Sequence, residues 1–291
     1  MLIALFVIAR IVTNPVSNVF QKQLAQRSAN PLFIIGATHA LLTLACLPFL
    51  LGPLPVATAF WTNIAISAVL AVAANSVLVL ALHSTDLSIL GPINAYKSVI
   101  SMVLGVFLIG EIPSPMGGLG VLLILSGSYF IVDRDANQPR SNAFALFIRT
   151  RGIQLRFLAL ALSATEAIFL KKALLVSSPL ATFVFWSILG TPIAAAAIAL
   201  LLRERLPTEL ALLRENWTTY LWLAVTTGLM QLTTLFTFGK LQVGYSLALF
   251  QLSSLISVFL GYRYFQESNI RKRLVGSCIM IAGAALIIGT R

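Results

Sequence analysis

With 58% hydrophobic residues, only 10% charged ones and a mean hydropathy of +0.94, this 291-residue chain carries more apolar surface than a soluble fold could cover, since soluble domains are about 25% charged. The formal charge of +11 does not point to nucleic acid. The twenty Lys and Arg lie mostly between apolar runs instead of on one solvated face, as cytoplasmic flanks of membrane helices do.

A hydrocarbon core about 30 Å thick takes roughly 20 residues per helix. Apolar runs between breakers lie at 3–24, 31–51, 60–82, 87–110, 116–132, 153–176, 178–202, 217–239, 243–265 and 270–290, so the expected fold is an all-α membrane protein of ten transmembrane helices. Asn30-Pro31, Gly52-Pro53-Leu54-Pro55, Ile112-Pro113-Ser114-Pro115 and Ser178-Pro179 end or restart helices through proline's missing N–H and fixed φ. Met1 to Phe6 has neither a basic n-region nor a small-residue cleavage site, so the first helix is expected to stay in the mature protein. Cys46 and Cys278 sit inside apolar runs and match neither a disulfide framework nor metal-ligand spacing.

The longest connection, 133–152, is polar and basic, and divides 1–132 from 153–291. These two stretches are copies. Shifted by 156 positions, Ser98, Ile100, Ser101, Leu104, Gly105 and Glu111 meet Ser254, Ile256, Ser257, Leu260, Gly261 and Glu267. The register carries Gly120 and Gly127 onto Gly276 and Gly283, and Trp61 onto Trp217. Five helices per copy is an odd number, so the second copy is expected to cross the membrane in the opposite sense. In transporters such inverted-topology repeats place the substrate near the midplane, between the repeats.

Orientation follows from the cations. Loops after odd-numbered helices hold Lys22, Arg27, Arg134, Arg140, Arg149, Arg151, Arg156, Arg203, Arg205, Arg214, Arg271, Lys272 and Arg273; the other side holds Lys171, Lys172, Lys240 and Arg291. The positive-inside rule then puts both termini outside.

Polar residues inside apolar helices are the candidates for function. In helix 1, Asn14, Asn18 and Gln21 share a face beside Pro15; interhelical hydrogen bonding and a cavity wall are both compatible with that. Asn75 of helix 3 and Gln231 of helix 8 are related by the repeat, with Thr227 and Thr234 on the Gln231 face. They read either as pseudo-symmetric walls of one cavity or as bundle glue. Helix 4 brings Asn94, Lys97 and Ser101 to one face, where the second copy has Phe250, Ser253 and Ser257. Lys97 lies some ten residues into its helix, about mid-membrane at 1.5 Å per residue, too deep to snorkel easily. Glu166 of helix 6 follows Ser163 by three positions. It either neutralises Lys97, binds a cationic ligand group, or carries a coupling proton once burial disfavours its charge. His39 reads as a core residue, and Gly105, Gly261, Gly120, Gly276, Gly127 and Gly283 as packing positions.

Leu104-Gly105 followed by Gly110-Glu111, a Pro-bearing turn, then Gly120 and Gly127, repeated as Leu260-Gly261, Glu267, Gly276 and Gly283, resembles the EamA-type branch of the drug/metabolite transporter superfamily. That resemblance spans essentially the whole chain. It implies a secondary carrier for small organic solutes, multi-pass in a bacterial inner membrane, its cavity lined by helices 1, 3, 4, 6, 8 and 9. It also implies cytoplasmic termini, opposite to the cation count. Lys97 resembles the helix-4 lysine that holds the anionic group in sugar-phosphate carriers, but helix 9 has Ser253 and Ser254 where those carriers place a second cation. A carboxylate or zwitterion, such as an amino acid, is therefore expected over a doubly charged phosphate.

The expected function is thus alternating-access transport of a small polar metabolite bound by Lys97, Asn94, Asn14, Asn18, Glu166, Asn75, Gln231 and Ser253. Proton-coupled efflux of organic cations centred on Glu166, and a non-transporting membrane scaffold, are the alternatives. No nucleophile–base pair, metal spacing or phosphate loop is present, so neither an enzyme nor a cofactor is expected. The expected partners are the solute and the lipid bilayer, and the chain is compatible with a monomer.

Overall fold

The computed structural model describes residues 2–51, 54–84, 87–131, 151–253, 256 and 270–289. Among the described residues there are eleven α-helices and no strand: α1 Leu2–Gln26, α2 Pro31–Cys46, α3 Thr58–Ser84, α4 Leu87–Ile109, α5 Pro115–Ile131, α6 Arg151–Leu175, α7 Pro179–Leu201, α8 Leu206–Glu215, α9 Trp217–Phe238, α10 Val243–Phe250 and α11 Ile270–Gly289. Among the described residues five helical stretches are long and apolar enough to cross a membrane, Ile3–Gln26, Pro31–Leu50, Thr58–Val77, Pro179–Leu201 and Trp217–Phe238, the second running on from α2 into a 3-10 turn. The breakers act as caps. The Asn30 side chain accepts from Leu32 N at 2.9 Å ahead of Pro31, and Ser178 Oγ accepts from Ala181 N at 3.1 Å ahead of Pro179. Each side chain satisfies an orphan donor of the first turn, where proline needs none. Most of the 133–152 linker, the second-copy residues Ser254, Ser257, Gly261 and Glu267, and the Asn94 side chain lie outside the described residues. Arg151 and Gly152, expected at the linker's end, already belong to α6.

The chain forms two compact units, Met1–Ser76 with Phe169–Lys240 and Val77–Ile168 with Leu241–Arg291. Each unit draws on both copies of the sequence. In the second unit α5 crosses α11 at bare backbone. A Cβ on Gly120 would lie 2.7 Å from the Gly283 carbonyl oxygen, and one on Gly127 2.6 Å from that of Gly276. As the α5 number rises the α11 number falls, so the two helices run antiparallel. Gly276 and Gly283 are also the duplicates of Gly120 and Gly127: each glycine meets the duplicate of the other. α4 and α10, likewise duplicates, touch where Gly244 lies against Met102.

The first unit repeats the arrangement. Thr43 Oγ1 of α2 donates to the Ser187 carbonyl at 2.9 Å and pairs with Thr191 at 2.8 Å, while Gly36 faces Ala194 and Ile198. α7 is thus antiparallel to α2, its partner in the 156-residue register. Beside them α1 packs on α9 through stacked Phe6 and Phe236, with ring centroids 4.6 Å apart.

One helix was not expected. The stretches 47–57 and 203–213 correspond in the 156-residue register; each begins with a 3-10 turn, and the second continues into α8. Pro207 stands in the first turn of α8, where its missing donor costs nothing. The 2%-exposed Glu209 then reaches back to the α1–α2 turn, accepting from Asn30 N with both oxygens at 3.1 and 2.9 Å. Arg27 donates to Asn216 Oδ1 in the same corner. Replacing Glu209 by alanine strands a buried donor, and should lower stability by about 1–3 kcal/mol in thermal unfolding of the detergent-solubilised protein. Glu209→Gln keeps an acceptor and should cost less.

Two cations expected in loops lie within the helical body. Arg156 is buried in α6. Lys171 is also buried and donates to the Phe238 carbonyl at the end of α9, where the negative end of a helix dipole favours a cation. Each had been counted on a different side of the membrane, so the inequality of cations between the sides stands.

Candidate functional site

The middle of α4 carries the central feature of the second unit. Lys97, partly buried, is the eleventh residue of α4, and its Nζ donates to Ser163 Oγ of α6 at 2.5 Å. Ser163 and the partly buried Glu166 stand three residues apart, neighbours on one helical face. The ammonium is therefore docked against the turn of α6 that carries the carboxylate. α4 and α6 run in the same direction: Tyr96 lies beside Phe157, with ring centroids 6.4 Å apart, and further along Gly105 faces Ile168. Ser98 and Ser101 are fully buried on either side of this contact, and Ser253 beyond α10 is 8% exposed.

In the first unit the polar residues gather on the α1–α9 seam. Arg10 Nε donates to Thr234 Oγ1 at 2.8 Å, and Ser17 pairs with Thr227 at 2.9 Å. This antiparallel register sets the buried Gln231 level with Thr13. Asn14 is partly buried, and Asn18, one turn on, is exposed. The Asn14, Asn18 and Gln21 face is rotated about a quarter-turn from the Phe6, Arg10, Thr13 and Ser17 face that meets α9, at 3.6 residues per turn. Thr227 and Thr234, read from sequence as flanks of Gln231, bond to α1. Asn75 spends a donor on its own helix, at the Ala71 carbonyl 2.8 Å away. His39 is a core residue, wedged against Trp186 at 4.5 Å between ring centroids and against Gly190.

Arg10 escaped the reading of the sequence. A signal was available: 156 positions on stands Glu166, so the two copies hold opposite charges at equivalent positions. Of the nine Asp and Glu in the chain, Glu166 alone falls in the interior of an expected span.

The duplicated glycine–glutamate motif has a geometric role. Gly110 turns the chain with φ +69°, a left-handed conformation that other residues adopt only with strain. Glu111 Oε2 can then accept from Val243 N at 2.7 Å, the first residue of α10. Gln242 donates to the Ile112 carbonyl at 2.8 Å, and Ser114 N donates to Tyr245 Oη at 2.7 Å. A carboxylate at a helix N-terminus meets unsatisfied donors and the positive end of the dipole. The motif therefore fastens the end of α4 to the start of its duplicate.

That stretch lies in a segment, residues 1–133, that matches the model of the EamA-like transporter family. Residues 1–133 belong to the EamA-like transporter family. The match over this segment supports a multi-pass membrane transporter of the drug/metabolite type. No curated protein matches the sequence. A crystal structure of a protein superposes on this chain with a TM-score of 0.73 at 11% identity, covering 98% of this chain and 95% of that one; at that identity the likeness concerns the fold alone.

Proposed function

We propose that the protein is a secondary transporter of a small polar metabolite carrying a carboxylate, an amino acid or similar zwitterion, working by alternating access in a bacterial inner membrane. The observation that carries this reading is the Lys97 ammonium docked on Ser163, one turn from Glu166. A cation and an anion at mid-helix depth are costly in a bilayer, and such charges mark substrate or ion pathways. Lys97 would hold the carboxylate and Glu166 an ammonium. Asn14, Asn18, Asn75, Gln231, Asn94 and Ser253 would supply hydrogen bonds. Ten helices in two inverted repeats, 1–132 and 153–291, are part of the proposal. The antiparallel meetings of duplicates, α2 with α7 and α5 with α11, support it, because a two-fold axis in the membrane plane pairs duplicates head to tail.

Efflux of organic cations on Glu166 is the weaker reading, since a neighbouring ammonium repels a cationic drug. Purified protein in liposomes should take up a zwitterionic amino acid and not tetraethylammonium. Collapse of an imposed pH gradient should stop the flux if it is proton-coupled and leave it unchanged if it is facilitated. Uptake of tetraethylammonium alone would overturn the reading in favour of cation efflux. By the positive-inside rule a periplasm-sensitive reporter fused after Arg291 should be active; an inactive one would reverse the orientation.

A further inference from the structure

We infer that the corner formed by the α1–α2 turn, the 3-10 turn Arg203–Arg205 and α8 is a docking site for the headgroup of an anionic phospholipid. Arg27, Arg203, Arg205 and Arg214 are the groups that recognise its phosphate. All of them belong to one compact unit, and the inference is independent of Lys97.

α8 joins the ends of two membrane-spanning stretches, Pro179–Leu201 and Trp217–Phe238, so it sits where the spans leave the hydrocarbon. Its flanks agree. Leu200 and Leu201 at the end of α7 are exposed, as are Trp217 and Trp222 at the start of α9, and tryptophan is enriched at membrane–water interfaces. One side of α8 is fixed to the body. Leu206, Leu212 and Leu213 pack on the cluster around Ile34, Ile198 and Tyr220, and Glu209 on the same side accepts from Asn30 N. The other side is exposed. At 3.6 residues per turn it carries Arg214 between Leu210 and Ala211, with Thr208 and Glu215 together on its polar edge. A helix so divided suits the boundary between headgroups and acyl chains.

The charges single out this corner. Arg27, Arg203, Arg205 and Arg214 are all exposed, and Arg27 is held there by its bond to Asn216 Oδ1. Against these four stand the exposed Glu204 and Glu215, while Glu209 is buried on Asn30. In the 156-residue register, stretch 203–216 corresponds to 47–60, which has no charged residue at all. A connection between two spans therefore does not itself require the arginines. Their planar forks match phosphate oxygens bidentately. The occupant is a lipid and not a soluble anion, because the exposed Leu210 and Trp217 beside the arginines offer an acyl chain apolar surface.

The test is titration of the purified full chain in neutral detergent with phosphatidylglycerol, phosphatidylcholine or inorganic phosphate. Binding to the native state is read as a rise in melting temperature. The variants are Arg203→Gln/Arg205→Gln/Arg214→Gln and, as a control for charge in general, Arg134→Gln/Arg140→Gln/Arg149→Gln in the linker. Phosphatidylglycerol should stabilise the wild type at lower concentration than phosphatidylcholine, and added salt should shrink the difference. Each cation near an anionic surface is worth about fivefold in affinity. The corner triple should therefore need about 100-fold more phosphatidylglycerol, and the linker triple about the same amount as the wild type. Should the corner triple not fold, Arg203→Gln/Arg205→Gln decides, with an expected loss of about 25-fold. An undiminished response in the folded corner variant, an equal loss in the linker triple, or no preference for phosphatidylglycerol would overturn the inference. Inorganic phosphate stabilising as well as the lipid would overturn it too. None of these outcomes touches the uptake expected to depend on Lys97, so the two readings fall separately.

Discussion

Lys97→Ala should abolish solute uptake into proteoliposomes while leaving the melting temperature of the protein nearly unchanged. The ammonium is only partly buried, and one of its partners is a serine hydroxyl, 2.5 Å away. Removing it strands a neutral group that can rebond to its own helix. The loss in function is larger, because a charge-assisted hydrogen bond to a carboxylate is worth about 1.5–3 kcal/mol, or roughly 10–100-fold in affinity. Lys97→Arg should not restore full flux, since a planar fork on a longer stem places its charge elsewhere. Ser163→Ala should reduce flux less than Lys97→Ala, because it frees the ammonium without deleting it. A large fall in melting temperature for Lys97→Ala would instead assign the residue to holding α4 on α6.

The largest effect on folding is expected at the α5–α11 crossing. A methyl at Gly120 would stand 2.7 Å from the Gly283 carbonyl oxygen, 2.8 Å from Ile287 Cγ1 and 3.2 Å from Ile287 N, whereas carbon and oxygen approach comfortably at about 3.3–3.6 Å. Two of those obstacles are main-chain atoms, which cannot rotate aside, so the helices must part. Overpacking costs about 1–3 kcal/mol and sometimes more, and here it also loosens the contacts along both helices. Gly120→Ala should broaden the size-exclusion peak and lower the melting temperature, and Gly283→Ala should do the same. The double variant should cost less than the two together, because both methyls push on one crossing. Gly118 on the same helix meets nothing within 4 Å. Gly118→Ala should therefore be neutral or stabilising by about 0.5–1 kcal/mol, which separates the crossing from any general intolerance of α5.

Much of this was legible in the sequence. Apolar runs and proline breakers located α1 to α7, α9 and α11 because the bilayer fixes helix length and proline leaves a mark at helix starts. Gly120 and Gly127 could be read as packing positions from their repetition at a constant offset. What the residues could not convey was long-range pairing: which glycine meets which, or that Glu111 would cap α10, 132 positions away. α8 was missed because ten residues are too few to cross a membrane, and its tertiary anchor, Glu209 on Asn30, is invisible locally. Arg10 was missed for a different reason. Cations mark loops in the sequence, whereas Arg10 lies inside a span. Lys97 is drawn to Ser163 of α6 by helix pairing, which no local pattern encodes.

The meeting of each glycine with the duplicate of its neighbour has a consequence for how such a molecule could be assembled. A seam built that way asks nothing of the peptide bond joining the copies. Severed between positions 133 and 150 and produced as separate polypeptides, the two pieces should still find one another in the bilayer, each offering the complementary side of every joint. One gene product would then keep, fused end to end, two pieces able to recognise each other without the link between them.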